Sequence, residues 1–196
     1  MSYLRDARSE LGASVGNPRD LPILSTDLDS IRVYNFEVQF NGTNAFNPAN
    51  ANQALTLAAK RVQSAGASVE DIQVRRLNDL YHYPGAANNQ DLIITFDHLL
   101  LSKPMETLYN WFANGSYNPR TGVVANARDS KIHSIDVLYY DNEKTIQNVT
   151  SYYGVFVSNF APGEHNYTTA NEFHTFDVTF RYDFMEYTRD AEATNF

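Results

Sequence analysis

The chain contains no cysteine and a single tryptophan, Trp111, among its 196 residues. The absence of cysteine excludes disulfide bonds, thiolate nucleophiles and cysteine-ligated zinc. No apolar run approaches the roughly 18 residues that a membrane-spanning helix needs, and no apolar stretch typical of a secretion signal follows the first charged residues. We therefore expect a protein that is made and used in soluble form and that folds on its hydrophobic core alone.

Positive charge is also scarce in this sequence. Its 15 lysines and arginines stand against 23 aspartates and glutamates, which gives a formal net charge of -8. Proteins that hold nucleic acid tightly gather positive charge on one face, so this balance argues against tight DNA or RNA binding. Hydrophobic residues make up 43% of the chain, which is enough to predict one main domain with its own core.

Residues with catalytic or metal-binding chemistry show none of the spacings that such sites need. No two histidines recur at i+2 or i+4, the separations that bring ligands together on a strand or a helix. The five are His82, His98, His133, His165 and His174. Asp97, His98 and Ser102 lack the Gly-x-Ser-x-Gly turn of a hydrolase, and no glycine loop for phosphate occurs. We expect no enzyme activity, no metal and no cofactor.

Alternation of apolar and polar residues is the strongest pattern in the chain. From Phe173 to Phe184 it predicts one strand of roughly 40 Å, at about 3.3 Å per residue. Its apolar positions are Phe176, Val178, Phe180, Tyr182 and Phe184, and its polar positions are Thr175, Asp177, Thr179, Arg181 and Asp183. The same alternation predicts a strand from Ile31 to Phe40. Aromatic strands of this kind need partners, because an unpaired edge promotes aggregation.

Weaker patterns complete a mainly β chain. Residues 1–30 are polar with scattered glycine and proline and predict an N-terminal arm, while the Asn-rich stretch from Asn41 to Gln53 predicts a loop. A further extended segment is expected to end at Tyr81 to Gly85. Additional strands are expected at Leu55 to Val62, Val69 to Leu77, Leu92 to Asp97, Ile132 to Tyr140 and Thr145 to Val157.

One segment changes to helical spacing. Four apolar residues recur at i, i+3, i+4 and i+7, namely Met105, Leu108, Tyr109 and Phe112. They predict a helix from Ser102, which would be its N-cap, to Asn114. Its aromatic residues Tyr109, Trp111 and Phe112 have the chemistry to stack on nucleotide bases, but this spacing beside aliphatic residues favours a place in the core.

Three segments resemble the tail tube proteins of contractile-tailed bacteriophages. Asn171 to Glu186, with N-E-F-H-T-F-D-V-T-F and then Y-D-F-M-E, is similar to the closing signature of that family. Gly154 to Gly163 resembles its glycine-led turn, and Ser68 to Gly85 resembles a loop that the family uses for contact between rings. When the helix that ends in Tyr109 to Phe112 is included, the order of the elements resembles that of the family from Ile31 to Tyr187.

The resemblance implies a mainly β subunit with one short α-helix, an antiparallel barrel or sandwich that joins a ring-wide barrel around a channel. It divides the chain into an N-terminal arm (1–30), a tube domain (31–187) and a C-terminal tail (188–196). The candidate channel-facing residues are Asn35, Glu37, Gln39, Asp177, Thr179, Arg181 and Asp183. The candidate core residues are Phe36, Val38, Phe176, Val178, Phe180 and Trp111. The candidate residues for contact between rings are Ile72, Val74, Leu77, Tyr81 and Tyr83.

The family also implies partners and a location. The partners would be further copies of the chain in stacked hexameric rings, a tail sheath protein, a baseplate tube initiator, a tape-measure protein inside the tube and a tail terminator. Genomic DNA would contact the protein only in transit, and no direct membrane binding is expected. The protein would be assembled in the host cytoplasm and end in the virion, as part of the phage tail.

Two alternatives stay open at this point. Within the structural class, the chain could be a tube initiator or the inner tube protein of a related injection machine. In a different class, it could be a monomeric β-barrel that binds a small ligand in its interior. Such a barrel would turn its apolar face toward an internal cavity, whereas a tube subunit would associate through its strand edges and its arm.

Overall fold

The structure is a computed structural model that describes residues 32–42, 49–166 and 173–189. The predicted N-terminal arm lies outside these residues, as do positions 43–48 of the predicted Asn-rich loop. The start of the closing signature, Asn171-Glu172, and most of the predicted C-terminal tail also lie outside them.

Within the described ranges the chain forms nine strands and three short α-helices. The strands are β1 (Phe36–Asn41), β2 (Ala59–Gln63), β3 (Ala67–Arg76), β4 (Asp79–Asn89), β5 (Leu92–Asp97), β6 (Ile132–Tyr140), β7 (Ile146–Ala161), β8 (Thr175–Arg181) and β9 (Phe184–Arg189). The helices are α1 (Ala49–Ala58), α2 (Pro104–Asn110) and α3 (Ala127–Ser130), and α2 continues into a π-helical turn (Trp111–Ser116). The mainly β class is confirmed, with more helix than expected.

Seven strands form one antiparallel sheet in the order β1-β6-β7-β8-β5-β2, with β9 beside the first half of β7. The sheet curls strongly enough that Phe40 of β1 contacts Phe96 of β5, with 6.2 Å between ring centroids. Among the described strands, no pairing joins β1 to β2, so the barrel stays open along this seam. Strands β3 and β4 form a separate two-stranded hairpin.

Aromatic side chains fill the space inside the curled sheet. Phe96 stacks on Phe176 with 5.5 Å between ring centroids, and Trp111 lies 5.8 Å from Phe180. The indole Nε1 of Trp111 donates a hydrogen bond of 2.6 Å to the carbonyl oxygen of Ser130. Five of the candidate core residues are at most 1% exposed, namely Val38, Phe176, Val178, Phe180 and Trp111, and Phe36 is partly buried against them.

The long final strand predicted from Phe173 to Phe184 is wrong, because the structure divides it into β8 and β9. β8 pairs with β5 and the second half of β7, whereas β9 pairs with the first half of β7. At the break, the backbone N–H of Asp183 donates to the carbonyl oxygen of Tyr153. Phe184, predicted on the apolar face, is 57% exposed. Alternation continues through the break, so the pattern alone does not reveal the change of partner.

The strand predicted from Leu55 to Val62 is also wrong in its first half, which belongs to α1. Leu55 and Ala58 are both buried, at the i, i+3 spacing of a helix. Alanine, leucine and glutamine favour helices, and a short apolar pattern fits either period. The predicted loop from Asn41 to Gln53 likewise contains the first half of this helix. The chain becomes extended at Ala59, where β2 pairs with β5.

The other predicted boundaries differ less from those of the structure. α2 begins at Pro104, and its N-cap is Lys103 in the left-handed region (φ 47°), so Ser102 does not cap it. β1 starts at Phe36 because Arg32 to Asn35 form a tight turn, in which Asn35 N–H donates to the Arg32 carbonyl. β6 has the predicted bounds, and β7 continues four residues beyond Val157.

Candidate functional site

One set of candidate channel residues lies on β1, on the face of the sheet that points away from the core. Val38 is 1% exposed, and its neighbours Glu37 and Gln39 point to the opposite side. Glu37 accepts hydrogen bonds from Gln39 Nε2 (3.2 Å) and from the Tyr140 hydroxyl (2.8 Å). Burial raises the pKa of Tyr140 to about 12, and the hydrogen bond to Glu37 adds to this shift. Tyr140 therefore stays neutral and holds the Glu37 carboxylate in place.

The second set lies on β8, and its side chains also point away from the core. Asp177, Thr179 and Arg181 alternate with buried residues, so they share the outer face. Thr95 of β5 donates a hydrogen bond of 2.6 Å to Asp177, and Arg181 forms an ion pair with Asp91 at 2.5 Å. This half of the face is therefore a network of short polar contacts between neighbouring strands.

Two candidate channel residues lie outside the strands. Asn35 is in the turn before β1, where its amide donates to the carbonyl oxygen of Asp141. Asp183 is in the bend between β8 and β9, where it forms an ion pair with Lys131 at 2.7 Å. The structure thus brings five of the seven residues onto one outer sheet face and places the other two at its margins. Together the seven carry three carboxylates and one guanidinium.

The β3–β4 hairpin contains the candidate residues for contact between rings. Ile72 pairs with Tyr83 and Val74 pairs with Tyr81, so these four side chains share one face of the ribbon. Ile72, Tyr81 and Tyr83 are 51%, 46% and 47% exposed. Leu77 lies at the tip, in a left-handed conformation (φ 54°), and is 98% exposed.

The opposite face of the hairpin is polar. His82 Nδ1 lies 2.8 Å from an Asp71 carboxylate oxygen, and Gln73 donates to the same oxygen at 3.0 Å. The hydrogen bonds from Gln73 and His82 hold the pKa of Asp71 below its ordinary value. The ribbon is therefore amphipathic, and its large apolar side chains remain exposed within the described part of the chain. Exposed apolar patches of this kind mark interaction surfaces, and an isolated hairpin is at best marginally stable in water.

Three histidines that the sequence left unrelated meet at one end of the sheet. The Nδ1 atoms of His98 and His174 are 3.1 Å apart, and the rings of His165 and His174 stack with 4.3 Å between centroids. Desolvation lowers the pKa of His174, and the neighbouring His165 and His98 lower it further. His98, His165 and His174 are 67 and 9 positions apart in the sequence, and His98 follows β5 whereas His165 follows β7. Spacing rules consider only residues within one strand or helix, so they could not predict this cluster.

The residues considered for other chemistry are not arranged for it. Asp97 pairs with Lys60 at 3.1 Å, the His98 ring contacts His174, and Ser102 Oγ has no hydrogen-bond partner among the described residues. Within the described ranges, no group of three or more histidine, aspartate or glutamate residues is placed to hold a metal ion. None of the described helices has the length and apolar character needed to cross a membrane.

No known protein family matches the sequence, and no curated protein matches it either. Solved structures match the fold. A chain in the sheath-tube complex of PVC, an extracellular contractile injection system in its extended state, has a TM-score of 0.63 at 14% identity and covers 85% of this chain and 99% of its own.

Two chains from the anti-feeding prophage are similarly close. One, from the baseplate, has a TM-score of 0.62 at 13% identity and covers 82% of this chain and 97% of its own. The other, from the cap that terminates the tube, has a TM-score of 0.61 at 13% identity and covers 83% and 93%. At these identities the likeness shows the fold, which is that of components of contractile injection systems.

Proposed function

We propose that this chain is a structural subunit of a contractile tail, the major tail tube protein that assembles into stacked hexameric rings. The observation that carries the proposal is the amphipathic β3–β4 hairpin. Ile72, Val74, Tyr81 and Tyr83 form an apolar face on a ribbon that pairs with no other described strand. A neighbouring copy would cover this face and remove its aromatic groups from water. The fold shared with components of injection systems supports the same class of function.

The polar outer face of the large sheet is proposed to line the channel. Its carboxylates at Glu37 and Asp177, with Asp183 at the margin, outnumber the single guanidinium of Arg181. A net negative lining repels the phosphates of DNA, so that DNA in transit does not adhere. The remaining proposed partners are the sheath protein, the baseplate tube initiator, the tape-measure protein and the tail terminator, all within a phage virion assembled in the host cytoplasm.

A tube initiator, or the inner tube protein of a related injection machine, would use the same surfaces and remains an alternative within this class. The small-ligand barrel has weaker support. Its binding cavity would occupy the interior of the curled sheet, where aromatic rings are in mutual contact. These are Phe40, Phe96, Phe176, Phe180 and Trp111. The proposed function is therefore assembly without catalysis.

Electron microscopy of purified full-length chain, combined with light scattering, tests the proposal. Wild-type protein should form rings or hollow stacked tubes, alone or on addition of a tube-nucleating ring. The double variant Ile72→Asp, Tyr83→Asp should keep its circular dichroism spectrum but lose stacking, because charge replaces the apolar face. The matched control Gln73→Asp, on the polar face of the same hairpin, should stack normally.

The results of these experiments distinguish between the proposed functions. A wild-type chain that stays monomeric at every concentration, even with a nucleating ring, would contradict the tube proposal and favour the ligand-binding barrel. Normal stacking by the double variant would show that the hairpin does not form the contact between rings.

A further inference from the structure

A groove of about 750 Å³ lies along the open seam between β1 and β2. Its wall is formed by side chains from β1, β2, β6, β7 and β9, including Phe36, Val62, Val137, Tyr139 and Tyr187. The seam is the place where the curled sheet has no strand pairing among the described residues. A segment of chain lying here would cover apolar surface that the described strands leave exposed along the seam.

The groove is positively charged although the protein as a whole carries a formal charge of -8. Arg32, Lys60 and Arg61 contribute to its lining, and the described lining includes no aspartate or glutamate. Lys60 also pairs with Asp97 at 3.1 Å, whereas Arg61 extends from β2 as an exposed side chain. The occupant with the best charge complementarity is therefore an acidic segment that also carries large aliphatic residues.

The chain supplies such a segment directly before the groove. Residues 20–31 read D-L-P-I-L-S-T-D-L-D-S-I, with three aspartates, five leucines and isoleucines, and no lysine or arginine. The segment is covalently joined to Arg32, which lines the groove, and 12 extended residues reach roughly 40 Å. This attachment gives it a high effective concentration at the site. The stretch at 190–196, which follows β9, has two acidic residues but a single large apolar one, Phe196, and fits less well.

We propose that residues 20–31 occupy the groove of their own chain, with the aspartates toward Lys60 and Arg61 and the aliphatic side chains against the apolar wall. The segment then covers the open seam of the barrel. This proposal does not depend on ring assembly, so its success or failure is separate from that of the tube function.

Hydrogen exchange of the full-length chain, followed by mass spectrometry, tests the contact. Amides in residues 20–31 should exchange at least about tenfold more slowly than in a free peptide of the same sequence. Arg61→Glu should remove this protection, and the added pair Asp27→Arg, Asp29→Arg should restore it. Arg120→Glu, an equal charge change in an exposed loop, should leave the protection unchanged. Free-peptide rates in the wild type, or protection of residues 190–196 instead, would overturn the proposal.

Cross-linking shows which copy provides the segment. Because the chain has no cysteine, the double variant Ser25→Cys, Ser64→Cys places one thiol in the segment and one in the groove wall. A short bismaleimide should give a bridged product of monomer mass at low protein concentration. A product of dimer mass would mean that a second copy supplies the segment, and no bridge at all would place it elsewhere; either result contradicts the proposal.

Discussion

The rings of Tyr152 and Tyr182 meet edge to face, with 4.9 Å between their centroids, and their hydroxyls donate to the consecutive carbonyl oxygens of Ala65 and Gly66 at 3.2 Å. These carbonyls lie immediately before β3, so the two tyrosines fix the base of the hairpin to the core of the large sheet. Burial raises the pKa of Tyr152 to about 12. Its hydroxyl therefore keeps its proton, and its role as a donor, throughout the neutral range.

Removing either hydroxyl should loosen the hairpin. Tyr152→Phe and Tyr182→Phe should each lower the free energy of unfolding by about 1 to 2 kcal/mol, because the carbonyl oxygen of Ala65 or of Gly66 loses one hydrogen bond. Urea titration measures this loss, and hydrogen exchange should show faster opening at the base of β3. Tyr109→Phe, in which the side chain is 46% exposed, is the control. Wild-type stability in both phenylalanine variants would show that these bonds do not anchor the hairpin.

Truncation of Phe180 tests the aromatic interior. This side chain is fully buried and contacts Phe40 and Trp111. Phe180→Ala should cost about 3 to 5 kcal/mol, since it loses transfer free energy and leaves a cavity. Phe173→Ala, at a position 87% exposed, should change stability by less than about 0.5 kcal/mol. Calorimetry of the two variants gives the comparison, and a loss below about 1 kcal/mol at Phe180 would refute its place in the core.

Substitutions at two glycines distinguish destabilisation by a steric clash from destabilisation by backbone strain. Gly154 has a φ of 66°, and an added Cβ would lie 2.1 Å from Oδ2 of Asp183, which pairs with Lys131. Gly122 has a similar φ of 69°, but an added Cβ would meet no atom of the described residues within 4 Å. Gly122→Ala should cost about 1 kcal/mol from the left-handed conformation alone. Gly154→Ala should cost clearly more in the same denaturation assay, and equal losses would mean that the Asp183 side chain moves aside freely.

The histidine cluster should make stability depend on pH. The pKa of His174 is lower in the folded state than its ordinary value of about 6.5, first because of desolvation and then because of His165 and His98. Protonation therefore favours the unfolded chain, and this contribution is complete above about pH 6.5 and is lost as pH falls through the lowered folded-state pKa. His174→Gln should flatten the decrease in melting temperature on acidification below pH 6.5. His133→Gln should retain it, and a His174→Gln profile parallel to the wild type would exclude this cause.

Much of the fold follows from local patterns. β6 has the bounds expected from Ile132 to Tyr140, and alternation placed Val38, Phe176, Val178 and Phe180 on the faces that the structure buries. The change to helical spacing at Met105 correctly indicated the helix that carries Trp111. Long-range contacts account for the errors: β8 and β9 separate because they pair with different halves of β7, and α1 is helical where Leu55 and Ala58 pack into the core.

The sequence by itself determined the class of the protein: an acidic, cysteine-free, mainly β chain whose strands have one apolar and one polar face. These features depend on residue type and on a side-chain period that is local. Only the tertiary structure decided where the final strand breaks, that three histidines meet, that Ile72 and Tyr83 share an open face, and that the barrel is open beside a cationic groove. Each of these depends on which distant strands pair and in which register, and that choice is made by the free energy of the whole core.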